Sequence, residues 1–485
     1  VASAKPVPQD ARTAWFLSTA PAYAGIMLWF VFWQDVPVGS SLSVTLAKYS
    51  AFAGGSLAQG LIMAFLGLIV GALLCYFLFY LVPGLLGMQT GLPLYIVGTS
   101  TYGVQGGLLM PGFLMGLLQF GWLGVNAFFA SHLLCAPFGY GFPSVPHAIV
   151  VILFAAAAAF MGLKGIKYVA KVATFLPIIP LMILIILFVA TVGGLAGFDP
   201  APVIDAGQKV TPEGGATVQG GVSAFGIILL MGAYTTGFFA TAGAAGSDFG
   251  MNNRHEKDVQ LGGLVGIALA IVVTGGLALL VVAGAHGAGT PKDAAVLRAT
   301  ELMSDIMGKQ TAGIFWWLLA IAAFPPACFS AFIAANSFKT TLPKVNPFIS
   351  VGIGTLISII LAVTGLANKA TGVFGIIGAS FGPVCGAMTA DYLLSGRKWA
   401  GPRAGWNLAG WISWVVGFVV GAIGMVVPAM AGKVPCPPVA AFVVGFVLYL
   451  VLAKAGLQSK TLSMEGGAAP AAEEPPAEEP EAQGE

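Results

Sequence analysis

Charge is what this chain has least of: Asp, Glu, Lys and Arg together make up 8% of its 485 residues, against about a quarter in soluble domains. So few charges cannot clothe a globular surface in water. With 58% hydrophobic residues and a mean hydropathy of +0.91, the composition is that of a polytopic membrane protein. Cysteine is sparse as well. Cys75, Cys135, Cys328, Cys385 and Cys436 are widely scattered with no C-x-x-C pair, so neither a disulfide framework nor a metal site is suggested. His132, His147, His255 and His286 form no H-E-x-x-H pattern, and no G-x-S-x-G stands at a plausible nucleophile elbow. No phosphate-binding loop is visible either. Enzyme chemistry, ATP drive and nucleic-acid binding therefore have no support, and no metal or resident cofactor is expected.

Long apolar runs are what the chain has in abundance. A bilayer core takes about 20 helical residues to cross, and on that scale twelve candidate spans emerge: 15–38, 55–82, 106–135, 146–162, 168–195, 220–247, 259–285, 311–337, 347–366, 370–394, 405–430 and 438–455. The first lacks a basic-then-apolar pattern ending in a small-residue cleavage site and reads as a retained helix. With the N-terminus in the cytoplasm, fourteen of the 21 Lys and Arg residues fall on the inner side, Lys164, Lys167 and Lys171 among them. The positive-inside rule then places both termini in the cytoplasm. After Lys460 the chain is rich in Pro and Ala and carries Glu465, Glu473, Glu474, Glu478, Glu479, Glu481 and Glu485, a composition that cannot build a core and predicts a disordered acidic tail. Between the seventh and eighth spans, Thr290 to Met307 sets Val296, Thr300, Met303 and Met307 at helical spacing, with Lys292, Asp293, Arg298, Glu301 and Asp305 between them. That pattern reads as an amphipathic helix on the outer surface, either an interfacial connector or a mobile gate.

Gln34 and Asp35 lie inside the first apolar run and are followed by Val36, Pro37, Val38 and Gly39, which can break a helix. An Asp at the centre of a membrane helix costs about 2.5–3.5 kcal/mol, so it faces a cavity, a partner or a transported ion unless the span ends there. Pro37 to Ser41 is thus one small-residue interruption, and a second, Thr235 to Gly237 with Thr241 to Gly246, falls in the sixth span. Interrupted helices five spans apart suggest an inverted repeat with a site between the broken helices, and alternating access instead of a channel.

Three blocks of residues carry a resemblance. Gly87-Met88-Gln89-Thr90-Gly91-Leu92, Thr101-Tyr102-Gly103-Val104-Gln105-Gly106 and Gly121-Trp122-Leu123-Gly124-Val125-Asn126 form the first. Gly237-Phe238-Phe239 followed by Ser247-Asp248-Phe249 forms the second. Gly382-Pro383-Val384-Cys385-Gly386 before Ala390-Asp391-Tyr392-Leu393-Leu394 forms the third. In order and spacing, over roughly residues 25 to 455, the chain resembles the nucleobase:cation symporters of the cytosine permease and hydantoin transporter group.

The resemblance implies an all-α membrane protein with about twelve transmembrane helices, in a five-plus-five inverted repeat of the leucine-transporter type with two additional C-terminal helices. The divisions expected are a cytoplasmic segment 1–14, repeats 15–195 and 196–396, the last two spans in 397–458, and the tail 459–485. It also implies that Trp122 and Phe239 sandwich a flat heterocycle, consistent with stacking energies of about 1–3 kcal/mol per base, while Asn126 and Gln34 read its edge. Asn126 lies one helical turn from Trp122 on the same face; either amide could instead bond helix to helix. Asp248 and Asp391, near Arg254 and Arg397, are expected in gating or structural roles.

Two departures from the family pattern stand out. Where the eighth span of the family offers hydroxyls and asparagines as sodium ligands, this chain has Ala322-Ala323-Phe324-Pro325-Pro326-Ala327-Cys328, and Asp35 stands where the cytosine permease pattern has a small residue. The family's arginine after span 2 is replaced by Thr99. The transported cation, proton or sodium, is therefore assigned to Asp35. The function expected is import of a nucleobase or related heterocycle across the cytoplasmic membrane in symport with that cation. The alternative is a same-fold symporter for a small amine, betaine or amino acid, with Asp35 as counter-charge. The lipid bilayer and a small-molecule substrate are the expected partners.

Overall fold

A computed structural model describes residues 5–40, 48–164, 176–211 and 218–463. Ser41, Lys167, Lys171 and the acidic tail from Glu465 onward lie outside the described residues. Within them the chain is all-helical, and extended residues meet only in isolated bridges: Thr13 with Asn253, Phe52 with Gln219 and Arg403 with Thr461.

Among the described residues ten helices are long and apolar enough to cross a membrane: α2 (Gly60–Thr90), α3 (Leu108–Phe138), α4 (Val145–Lys164), α5 (Ile178–Gly197), α6 (Ala224–Ala244), α7 (Glu256–Gly287), α8 (Lys309–Thr341), α10 (Gly372–Leu394), α11 (Leu408–Val426) and α12 (Pro437–Lys454). Two of the twelve expected segments fall short as continuous helices. The first, α1, is split into Thr19–Leu28 and Phe30–Trp33. The other, α9 (Pro347–Val363), has 17 residues, about 26 Å at 1.5 Å per residue against a hydrocarbon core of about 30 Å. Along α9 the residues Ile349, Ile353, Leu356 and Ile360 are exposed at helical spacing. An apolar stripe of that kind faces lipid, because water would penalise it.

The helices pack in groups. One contains α1, α2, α6 and α7; a second contains α3, α4, α8 and α9; α10, α11 and α12 pack on each other and meet the first group where α10 lies along α6. Close approach there depends on Gly237, since a Cβ at that position would sit 2.9 Å from the Phe374 carbonyl oxygen. Gly386 does the same for α10 against α12, with Phe442 backbone oxygen 2.2 Å from a would-be Cβ. These glycines are packing surfaces of the kind that let membrane helices touch backbone to backbone.

That role corrects the expectation that Thr235 to Gly237 interrupt the sixth span. α6 runs unbroken through them and stops at Ala245, after which the chain turns into the short helix Gly246–Gly250. Thr235 and Thr236 bond back to the carbonyls of Met231 and Gly232, 2.8 and 2.6 Å away, which keeps each hydroxyl satisfied within the helix. The break in α1 also falls elsewhere than expected. It lies at Trp29, with φ −61° and ψ 125°, about two turns before the Val36-to-Gly39 stretch, and the second piece ends at Trp33.

Candidate functional site

A broken helix exposes carbonyls, and in α1 hydroxyls from other elements take them up. Tyr234 of α6 donates to the carbonyl of Phe32. Beyond the helix end, Ser56 Oγ donates to the carbonyls of Val36 and Pro37 at 2.5 and 2.8 Å, and Ser50 Oγ to that of Val38 at 2.7 Å. The unwound backbone is thus stitched to α6 and to the segment entering α2. Unpaired backbone at this depth would cost several kcal/mol per group.

Asp35, fully buried, does not stand alone. Arg298 grips it with two guanidinium nitrogens, Nε to Oδ1 at 2.6 Å and Nη2 to Oδ2 at 3.0 Å. The guanidinium lies over the ring of Phe129, 5.2 Å from its centroid, a cation–π contact that offsets part of its desolvation. Two residues on, Thr300 Oγ1 donates to Gln34 Oε1 at 2.7 Å. One short connector therefore holds both polar residues of the broken helix.

The connector was expected on the surface, and its helix, Ala299–Met307, does form. Yet Val296, Leu297, Arg298, Ala299, Thr300, Leu302 and Met303 are buried. It is pinned from several sides: His286 Nε2 bonds the Val296 carbonyl at 2.9 Å, Trp316 Nε1 donates to the Thr300 carbonyl at 2.9 Å, and His132 faces Glu301 at 3.6 Å. At its rim Tyr49 donates to Asp293 at 2.5 Å; burial and that carboxylate push the Tyr49 hydroxyl up to about 12, so it stays a donor. Arg298 is one site residue that sequence reasoning missed, as it did Thr300 beside it. Its only signal was an arginine inside the apolar run Ala294 to Ala299.

Trp122 of α3 sits in an aromatic cluster. Its ring centroid is 5.2 Å from those of Phe238 and Phe374 and 5.7 Å from that of Trp29, and its Nε1 donates to Thr241 at 3.1 Å. The ring that α6 turns toward Trp122 is Phe238, where Phe239 was expected. Phe239 packs 5.7 Å from Tyr23, because neighbouring residues point about 100° apart round a helix. Asn126, one turn along α3, spends its Nδ2 on the Trp122 carbonyl at 3.1 Å. Phe129, a further turn along, reaches Arg298. This face of α3 therefore runs from the aromatic cluster to the Asp35–Arg298 pair.

Shielded polar atoms without a hydrogen-bond partner among the described residues include Trp29 Nε1 and Gln34 Nε2 of the first helix and Asn126 Oδ1 and His132 Nδ1 of α3. Buried polar atoms are rarely left so. Trp29 and Asn126 lie beside Trp122, and Gln34 and His132 beside the connector.

The remaining acids have other partners than expected. Asp391 pairs with Arg403 at 2.9 Å and not with Arg397; Ser100 and Tyr449 add hydrogen bonds of 2.6 and 2.8 Å. This buried network ties the end of α10 to the loop before α3, to α12 and to the residues around Arg403. Residues 459–462 join it, as Ser459 N donates to Asn407 and Leu462 N to the Pro402 carbonyl. Arg254 lies 3.5 Å from Asp258, so it does not serve Asp248. Burial pushes the Asp248 carboxyl up to about 7, with the Leu94 and Asp248 backbone amides pulling the other way. Neither acid reaches the aromatic cluster.

In α8 the proline pair bends the helix at Ala323, between Lys309–Ala322 and Phe324–Thr341. Pro326 has no N–H to offer the carbonyl of Ala322. The nearest following hydroxyl, Ser330, is bonded to the Pro326 carbonyl at 3.2 Å.

Comparison with known proteins fits this architecture. Mhp1, a nucleobase-cation-symport-1 family transporter, superposes in its closed conformation with bromovinylhydantoin bound at a TM-score of 0.59; the match covers 93% of this chain and 94% of that one at 15% identity. The inward-facing conformation of Mhp1 matches with the same TM-score and identity, over 94% of each chain. At such identity the likeness speaks for the fold. No curated protein sequence matches the chain. Residues 23–452, however, match the family described as permease for cytosine/purines, uracil, thiamine, allantoin. The chain therefore belongs to that permease family: it is an integral, multi-pass membrane protein that moves small molecules and is not an enzyme.

Proposed function

We propose that this permease imports a neutral nucleobase-type heterocycle across the cytoplasmic membrane in symport with a proton or sodium ion, with both termini in the cytoplasm. The observation that carries the reading is the pair of unpaired polar atoms on Trp29 and Asn126 beside Trp122, with a further unpaired amide N–H on Gln34 of the same broken helix. A lactam or amidine edge offers the matching donors and acceptors, and its flat ring suits stacking on Trp122. A quaternary ammonium offers neither donor nor acceptor to those atoms.

Trp122 and Phe238 form the stacking faces of this site, with Phe374 beside them; Phe239 packs away from it against Tyr23. Two rings must stand about 7 Å apart to admit a third between them, at contact distances of about 3.5 Å each. Trp122 and Phe238 are 5.2 Å apart with their planes at 75°, so the rings separate and turn on loading. Asp35 takes the cation when Arg298 withdraws, and Asp248 and Asp391 serve the gates and the scaffold.

Uptake of labelled cytosine into proteoliposomes tests this, challenged with purines, uracil, hydantoins and betaine under separate sodium and proton gradients. Uptake blocked by nucleobases and driven by one gradient is expected. Inhibition by betaine or amines alone would overturn the substrate class.

A further inference from the structure

We propose that Glu301 is a positioning residue for ion coupling: it receives the Arg298 guanidinium when Asp35 takes the cation. The proposal rests on the assignment of the cation to Asp35 above and deepens it by naming where the displaced positive charge goes.

Both oxygens of Asp35 are taken by Arg298, at 2.6 and 3.0 Å, so a cation reaches the carboxylate only when the arginine leaves. A guanidinium keeps its proton in proteins, so Arg298 must carry its full charge elsewhere. Its side chain is 5% exposed, and a buried charge without a new partner is stranded. The connector offers three carboxylates. Asp293 accepts from the Tyr49 hydroxyl at 2.5 Å and from the Ala295 amide at 3.0 Å. Asp305 accepts from the Lys292 amide at 3.1 Å and faces the Lys292 ammonium at 3.5 Å. Glu301 is differently placed. The one basic group within 4 Å of it among the described residues is His132 Nε2, at 3.6 Å, beyond the range of a normal hydrogen bond.

Its position suits the role. Arg298 is the N-cap of the helix Ala299–Met307, and the Glu301 amide donates to the Arg298 carbonyl at 3.0 Å. An N-cap residue and the residue three further on lie beside one another, as in a capping box, so the arginine can turn from Asp35 to Glu301 by rotating its own side chain. Glu301 also holds the charge needed to draw it. Burial pushes its carboxyl up, but His132, Arg298 and Lys48 outweigh that and keep it well below its ordinary value.

Uptake of labelled cytosine into proteoliposomes by the whole chain, measured against rising concentration of the driving ion, sodium or proton, reads this out. Glu301→Gln is expected to raise the half-saturating ion concentration by about tenfold, the effect of one charge-assisted hydrogen bond, with KM for cytosine at saturating ion nearly unchanged. Glu301→Asp keeps the charge and recovers most of the difference. His132→Gln separates this from a structural brace: it removes the present neighbour of Glu301 and leaves the carboxylate to Arg298, so half-saturation is expected to fall or stay. An unchanged ion dependence in Glu301→Gln overturns the proposal, and so does a rise in His132→Gln that matches the one in Glu301→Gln. If Glu301→Gln fails to insert, Glu301→Ala gives the same reading. Concentrative uptake by the Asp35→Asn, Arg298→Gln double variant is a different failure, which removes the cation from Asp35 and the proposal with it. A wild type that carries betaine or an amine instead of cytosine sinks the substrate class alone, and the same ion titrations then run with that compound as the label.

Discussion

Arg298 and Asp35 form a two-pronged ion pair between the connector and the broken first helix, at 2.6 and 3.0 Å, with side-chain exposures of 5% and 0%. Removing one partner of a buried pair strands the other charge and costs about 3–5 kcal/mol. Asp35→Asn and Arg298→Gln are each expected to lower the melting temperature in detergent markedly, whereas the double variant recovers most of it. The double variant also addresses the cation. Facilitated uptake should persist in it while accumulation against a gradient disappears, and concentrative uptake by the double variant would show that Asp35 does not carry the ion.

Phe238 and Phe239 give a second contrast. Phe238 touches Trp29, Phe32, Trp122 and Phe374, while Phe239 lies against Tyr23. Phe238→Ala is expected to raise KM for the transported base by about ten- to a hundredfold, in line with stacking of about 1–3 kcal/mol. Phe239→Ala removes core packing worth about 3–5 kcal/mol and shows itself in the melting temperature with KM nearly unchanged. Equal KM effects would place both rings, or neither, at the substrate.

Asp391 should behave as scaffold. It accepts from Arg403, Ser100 and Tyr449 at once. Asp391→Asn leaves Arg403 uncompensated and is expected to cost more stability than Ser100→Ala, which forfeits one hydrogen bond to a carboxylate, about 1.5–3 kcal/mol. Thermal unfolding of the two purified variants gives the comparison, and a larger loss for Ser100→Ala would contradict it.

Asp248 predicts a pH dependence. Its carboxyl is pushed up to about 7 by burial, so the folded protein holds this proton more tightly than the unfolded chain, whose Asp titrates near 3.9. Between about pH 4 and 7 the folded state binds the extra proton, and stability falls as pH rises through that window, then levels off. Asp248→Asn should flatten this component and be the more stable protein above pH 7. Melting temperatures of both proteins from pH 5 to 8 decide it; parallel curves would refute the assignment.

Much of the fold was legible because bilayer thickness imposes a length on every apolar run, and twenty residues without charge have few other uses. Asp35 was legible for the same reason, as a cost that demands a partner. The partner was hidden. Arg298 sits in a stretch whose alternation of charged and apolar residues is the pattern of a surface helix, and only tertiary placement turned it inward. The choice of Phe238 over Phe239 was out of reach for a related cause, since both rings are apolar and helix rotation alone decides which meets Trp122. The break at Trp29 carries no glycine or proline to announce it. Conversely, Thr235 to Gly237 looked like a break, but glycine there makes room for α10 and the threonines bond back to their own helix.

The hydroxyls of Tyr234, Ser50 and Ser56 give the broken first helix a mechanical character. A helix interrupted by local melting would fray at a variable point and absorb movement like a slack rope. Here the piece after the break and the turn beyond it are riveted at Phe32 and at Val36 to Val38 to two neighbouring elements, so that half moves only with them. Displacement of one half is handed to α6 through Tyr234 and to the entry of α2 through the serines. The first helix cannot swing without carrying both of them, and the motion that opens a path to one side of the membrane is then shared by that whole group of helices.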